Sequence, residues 1–314
     1  MSYLIYKLKF KTAIHIGNSD GGASLGDGEM TIRSDTLIGA LCCEAAKNKT
    51  IDKLYEYFSA GVITISDTLP YSNDELYLPK PILYMKRRNA GDGSPEIKKA
   101  LKRIEYIPVN QFNKYMNDIK GGEINPADYE FSFGQISIYT KVNKKDNVEP
   151  MPYHIAAWKF KPDCGLYVIL KYEEEEAKSL FIKLLRNLGL SGVGGKQTSG
   201  LGKFEISEYQ MSESLLCFLN DVQAPYQMLL GTALPKDEKL NVIVENGWYK
   251  ILRRGGFINS NTYSDRQLKK KTIYMLSAGS VLSKRFVGNV LDLSHSGSHP
   301  VWRCTNTLFA GVNI

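Results

Sequence analysis

No run of apolar residues in this chain approaches the roughly 20 that a helical membrane span requires, so no such span is expected. Cysteine is sparse and unsuited to cross-linking. Cys42 and Cys43 are adjacent, while Cys164, Cys217 and Cys304 stand apart. An odd count of 5 without CxxC spacing argues against a disulfide framework and against a zinc site. These thiols are expected to be small buried hydrophobes. The opening segment, Met1 to Phe10, alternates like a strand and has no apolar core or cleavage site of a secretory signal. A cytoplasmic protein is the expectation. The nucleotide fingerprints are missing as well. A P-loop needs glycine where Leu190 stands and Ser or Thr where Gln197 stands, and no G-x-G-x-x-G occurs. Both motifs also run from strand to loop to helix, whereas the glycine-rich loop here runs from helix to strand.

Glycine, by contrast, is concentrated. Six of the fourteen residues from Gly189 to Gly202 are glycine: 189, 192, 194, 195, 200 and 202. Backbone that can turn through positive φ can bring its amides close to a ligand. Lys196, Gln197, Thr198, Ser199 and Lys203 add a cation and polar donors suited to a phosphate chain. With a mononucleotide site disfavoured, an extended polyphosphate such as RNA fits better. The alternative is an αβ connection whose glycines serve turning alone, and the loop's own residues leave both readings open.

At 314 residues the chain exceeds the usual size of one core, so two domains are expected. Its 43% hydrophobic and 23% charged content is that of an ordinary globular protein. The net charge of +7 is uneven: residues 210–314 carry 12 Lys+Arg against 7 Asp+Glu (+5), and the rest carry 28 against 26 (+2). A basic bias of this size suits an anionic partner.

The pattern reads as strand–helix–strand twice over. A strand spans Tyr3 to Ile16, with Leu4, Tyr6, Leu8 and Phe10 on one face. A helix begins near Ser34-Asp35-Thr36, residues suited to capping, and Val62 to Ile65 forms a short strand. A hairpin is expected from Phe131 to Met151, turning at Asn143 to Asn147. A strand follows from Gly165 to Tyr172. The next helix opens on Glu173 to Glu176 and carries Leu180, Phe181, Leu184, Leu185 and Leu188 as its apolar stripe. Gly189 is its expected stop, and Phe204 to Tyr209 closes the unit. This is the ferredoxin-like arrangement. A second, weaker copy reads strand 226–233, short helix 237–244, strand 247–254, and strands near 273–278 and 307–312. The fold class is therefore α+β: two ferredoxin-like (RRM-related) domains with antiparallel sheets, residues 1–209 with an insertion around 84–128, and residues 210–314.

Short motifs recur in a set order: Ser34-Asp-Thr-Leu-Ile-Gly-Ala-Leu41, Ile65-Ser-Asp-Thr-Leu-Pro70, Leu78-Pro-Lys-Pro81 and Gly192 to Lys203. Gly255-Gly256, Ala278-Gly-Ser-Val281 and His299-Pro-Val-Trp-Arg303 follow. Together they resemble the RAMP superfamily of CRISPR proteins and, within it, the fourth-subunit family of type III-A Csm effector complexes. The resemblance spans almost the whole chain. It implies binding of the 5′ repeat-derived tag of crRNA and contacts to the large polymerase/cyclase-like subunit and to a backbone RAMP subunit. Target RNA would be met only indirectly. It also implies a chain that is not itself a nuclease and needs no cofactor. The RNA-binding residues it implies are Gly192, Gly194, Gly195, Lys196, Gln197, Thr198, Ser199, Gly200, Gly202 and Lys203. Arg253, Arg254, Gly255, Lys284 and Arg285 are further candidates.

An enzyme is the rival reading. His15, near the end of the first strand, could deprotonate a 2′-hydroxyl, or it could be a buried histidine without chemistry. Asp20, Asp27 and Asp35 could serve metal-assisted cleavage of RNA, or simply turn and cap chemistry. His295 and His299 have a helical zinc spacing, but Ser296-Gly-Ser298 and Pro300 favour a loop, so no metal site is expected. Lys86-Arg87-Arg88, beside Tyr84, and Lys269 to Lys271 could touch RNA or lie solvated. No catalytic residue is assigned.

Overall fold

The computed structural model describes residues 2–17, 25–84, 95–121, 124–143, 149, 151–260, 262–295 and 297–314. Its first half runs β1 (Ser2–Phe10), α1 (Ser34–Lys47), α2 (Ile51–Ser59), β2 (Ile63–Ile65), β3 (Leu69–Ser72) and β4 (Glu75–Pro79). It continues with α3 (Pro95–Arg103), β5 (Tyr106–Pro108), α4 (Phe112–Gly121), and the hairpin β6 (Gly134–Asn143) and β7 (Met151–Phe160). It closes with β8 (Cys164–Tyr172), α5 (Glu175–Ser191) and β9 (Phe204–Tyr209). The sheet order is β5-β4-β3-β8-β1-β9, with β2 also paired to β8. Taking β1, β2/β3, β8 and β9 as strands one to four, the spatial order is 4-1-3-2, all antiparallel, as a ferredoxin-like unit requires.

The central strands are buried on both faces, and alternation sorts their side chains. Leu8, Leu166, Val168 and Leu170 pack beneath α1, α2 and α5 with Leu37, Leu41, Phe58, Phe181 and Leu185. Ile5, Tyr167 and Ile169 face the other way. They join Phe112 and Met116 of α4 to residues of the second half, including Leu215, Met228, Leu308 and Ala310.

The second half contains α6 (Glu213–Asn220), β10 (Tyr226–Leu229), α7 (Leu240–Val244), β11 (Ile251–Arg254), β12 (Ile273–Leu276) and β13 (Val281–Leu282). It ends with β14 (Val290–Asp292), β15 (Trp302–Cys304) and β16 (Phe309–Val312). Its strands are short. They form an antiparallel sheet β13-β10-β16 and two ribbons, β11–β12 and β14–β15.

Several local expectations shift. Helix α5 passes Gly189 and ends at Ser191, where Gly192 takes φ +93°. Gly189 instead allows close packing, because a Cβ there would strike the Phe204 backbone carbonyl. Helix α1 begins at Ser34, but no local side chain caps it. No element was expected just after the 209/210 boundary, yet helix α6 forms there; Ser212 caps it by accepting from the Leu215 amide at 3.4 Å. The predicted hairpin is present but longer and later: it starts at Gly134, its second strand runs from Met151 to Phe160 where the expected one ended at Met151, and its turn lies outside the described residues.

Candidate nucleic-acid interface

The glycine-rich loop leaves α5 and folds back on the segment after β1. Gly195 N donates to His15 O (2.8 Å), Gly202 N to Ala13 O (2.9 Å), and Val193 N to Gly202 O (3.0 Å). Lys203 N donates to Thr12 Oγ1 at 3.0 Å. Two glycines make this approach possible. Gly194 sits at φ +89° with its absent Cβ 2.5 Å from His15 O; at Gly202, φ +78°, a Cβ would run into the Val193 backbone. The sequence-level picture of a free ribbon with its amides aimed at a ligand is therefore corrected: most of them bond inward, as buried backbone must. What faces outward is the tip. A single 3-10 turn, Gln197–Ser199, is entered through left-handed Lys196 (φ +61°) and left through Gly200 (φ +84°). Its opening donors lack partners, as at the start of any helical turn. Among the described residues, no acceptor meets the amides of Gly194, Lys196, Gln197 or Thr198. Thr198, Ser199 and Lys203 are exposed, while Gly192 and Gly202 are buried.

The tip is one wall of a corner. Strand β7 forms another: Ile14 pairs with Trp158, and Ala156 N donates to Leu25 O at 2.7 Å. The Lys196 ammonium lies 4.9 Å from the centroid of the Tyr153 ring on β7. No sequence motif pointed to Tyr153, because its proximity depends on how the hairpin folds back. Leu190, at the end of α5, is 76% exposed beside the loop, a large aliphatic surface with no intramolecular cover. His15 is buried, its Nδ1 is 2.6 Å from Ala156 O, and Gly195 lies against its ring. That placement fits a structural histidine. Asp27 is exposed. Among the described residues no group of three His, Cys, Asp or Glu could hold a metal, around Asp27 or around His295 and His299. His299 instead places Nε2 2.8 Å from Ser260 Oγ.

The candidates of the second half separate. Arg254 is buried and donates to Asp35 through Nε (3.0 Å) and Nη2 (2.8 Å), and to Thr36 Oγ1 at 2.8 Å. Arg303 Nη1 reaches the same carboxylate at 2.5 Å, and its Nη2 donates to Gly255 O at 3.2 Å. Burial alone would push the Asp35 carboxyl up, but the two guanidiniums outweigh it and hold it below the ordinary carboxylate range. Arg285 is half-buried and donates to Gln227 Oε1 (2.6 Å), Leu219 O (3.0 Å) and Asp221 O (3.1 Å), closing the end of α6. Arg254 and Arg285 are thus engaged within the chain, Arg254 by a buried carboxylate and Arg285 by the end of α6. Their sequence signal, basic residues near glycine, cannot separate a surface cation from a buried one. Arg253 and Lys284 are exposed. Asp20 and Lys86 to Arg88 lie outside the described residues.

Residues 7–205 match the RAMP superfamily, and residues 222–312 match the CRISPR Csm4 C-terminal domain. A CRISPR system Cms protein Csm4 from Mycobacterium tuberculosis (strain ATCC 25618 / H37Rv) is 32% identical over 296 residues, 93% of each chain. The chain belongs to the Csm4 family of the RAMP superfamily. A Csm4 from Streptococcus thermophilus is 28% identical over 300 residues, again 93% of each. Among solved structures, one of a Csm3-Csm4 subcomplex of the type III-A CRISPR-Cas interference complex aligns with all of this chain, and all of its own, at TM-score 0.66 and 18% identity. A Csm1-Csm4 cassette in complex with cA4 aligns over 100% of this chain and 99% of its own at TM-score 0.59 and 19% identity. These likenesses establish the shared fold. No helix among the described residues is long and apolar enough to cross a membrane.

Proposed function

We propose that this chain is the RNA-binding architectural subunit of a type III-A CRISPR-Cas effector complex. It holds the 5′ tag of crRNA at the corner of the glycine-rich loop and links the large polymerase-like subunit to the backbone RAMP subunit. The observation that carries this reading is the Csm4-family match, which takes in both halves of the chain. Csm4 relatives of known structure occur in a Csm3-Csm4 subcomplex and in a Csm1-Csm4 cassette.

The division of labour follows from the geometry. The unpartnered amides of Gly194, Lys196, Gln197 and Thr198 point to phosphate oxygens, and Lys196 and Lys203 supply charge. Ser199 and Gly200 complete the tip. Gly192, Gly195 and Gly202 shape it and do not touch RNA. RNA reaches loops here because the sheet face that an RRM leaves open to bases is covered by α4, α6, β10 and β16. Arg253 and Lys284 are exposed cations of the basic second half. The two domains divide at 209/210. The chain works in the cytoplasm, binds without a cofactor and does not cut RNA.

Lys196→Ala with Lys203→Ala should weaken binding of a tag-sequence oligonucleotide and lower its log–log salt slope by about 0.7 per lysine lost. Anisotropy titrations between low and moderate salt measure both. Unchanged affinity and slope would remove the loop from the interface. Incubation with repeat RNA, with and without divalent metal, tests the absence of cleavage; cuts lost in Asp27→Ala would overturn it.

A further inference from the structure

On one face of the β11–β12 ribbon Leu276 is buried within the second half, but Ile251, Arg253 and Tyr274 are exposed. Strand β11 alternates exposed Ile251 and Arg253 with buried Leu252 and Arg254. Its partner places Tyr274, 60% exposed, directly across from Arg253. Directly opposed residues hold their Cβ atoms about 4.5–5.5 Å apart, so ring and guanidinium share one small patch. The ribbon continues past Gly255-Gly256 as a bridge between Phe257 and Lys269, whose ammonium lies 5.4 Å from the Phe257 ring centroid. Charge is one-sided. Residues 247–276 contain seven cations (Lys250, Arg253, Arg254, Arg266, Lys269, Lys270, Lys271) and one acid, Asp265. Arg254 is taken by Asp35 and Lys270 is half-buried, and the other five are exposed.

We propose that this face is a second platform for single-stranded RNA, separate from the glycine-rich loop: Tyr274 stacks a base while Arg253, Lys250, Lys269 and Lys271 hold the neighbouring phosphates. The chemistry favours a nucleic acid over a protein. Lysine is depleted at protein–protein interfaces, whereas Lys250, Lys269 and Lys271 are exposed here beside Arg253 and Tyr274, a density of positive charge suited to a phosphate backbone. Aromatic rings interleaved with cations are how sequence-tolerant single-strand sites are built, the ring taking a base face and the cations the backbone. The role of Arg254 supports this arrangement. Its pairing with Asp35 fastens the inner face of the ribbon to α1, so the outer face is held on a rigid base.

The proposal rests on the reading that the chain binds RNA, and the test separates the two. The full chain is titrated by fluorescence anisotropy with a labelled 24-nucleotide single strand at several salt concentrations, alongside the Lys196→Ala/Lys203→Ala loop variant. Tyr274→Ala should weaken binding at least ~5-fold with the salt slope unchanged. Tyr274→Phe should stay within about twofold of the parent, because the ring and not the hydroxyl stacks. Lys269→Ala with Lys271→Ala should lower the slope by about 0.7 per lysine. Ultraviolet cross-linking should attach RNA to the peptide carrying Tyr274. Binding unchanged in Tyr274→Ala while the loop variant still loses affinity overturns this platform alone, as does loss of affinity in Tyr274→Phe equal to that in Tyr274→Ala. No binding by the parent chain overturns both readings.

Discussion

Asp35 carries two arginines on one carboxylate, and all three side chains are buried. Removing a single partner from such a buried cluster strands charge without solvent, at a cost of about 3–5 kcal/mol. Asp35→Asn should therefore lower stability on that scale, measured by chemical denaturation. The pH dependence carries a sign. A carboxylate held below its unfolded value contributes stability above about pH 4 and loses it as pH falls through its native titration. Asp67, also buried, runs the other way. Burial pushes its carboxyl up, so acidification relieves the cost of its charge. Thermal melts between pH 3 and 7 should show a shallower acid-side fall in Asp35→Asn than in the parent. An unchanged fall would mean that Asp35 is not the group responsible. Gly202→Ala belongs to the same scale. The new Cβ would meet the Val193 backbone at a positive φ, and a loss of roughly 1–3 kcal/mol or more is expected.

At the scale of elements, α1 is capped from a distance. Asp67 Oδ1 accepts from Ser34 N (2.7 Å) and Thr232 N (2.8 Å), and its Oδ2 accepts from Thr232 Oγ1 (3.0 Å). One side chain thus closes the start of a helix in the first half and ties it to a loop in the second. The motifs Ser34 to Leu41 and Ile65 to Pro70 meet here, so their shared task is structural. Asp67→Ala would orphan two buried amides at about 1–3 kcal/mol each. Ser212→Ala removes an ordinary local cap from α6 and should cost about 1 kcal/mol. Urea titrations should therefore rank Asp67→Ala clearly above Ser212→Ala; equal losses would deny the distant cap its double role.

For the whole molecule, the two halves share one apolar core. Asp67 N donates to Leu230 O at 3.0 Å, and Ile82 N to Gly279 O at 2.8 Å. Leu215, Met228, Leu308 and Ala310 are buried together with Tyr167 and Ile169. The full chain should melt in one transition. Residues 210–314 expressed alone should give no cooperative melt by circular dichroism, because that core loses one wall; a sharp independent transition would contradict this. Much of the architecture was legible along the chain, since a strand of alternating apolar residues and a helix with a 3.6-residue stripe advertise themselves locally. Strands β8 and β9 and the stripe of α5 were readable for that reason. Arg253 and Arg254 show where local reading stops. They are neighbours of identical chemistry, yet one faces solvent and the other is paired to an aspartate 219 positions away in sequence. Periodicity and turn chemistry are encoded over a few residues and survive without context. Which amides turn inward, which arginines are buried and which ring lies under Lys196 depend on contacts between segments far apart in the chain, and only the packed molecule sets those.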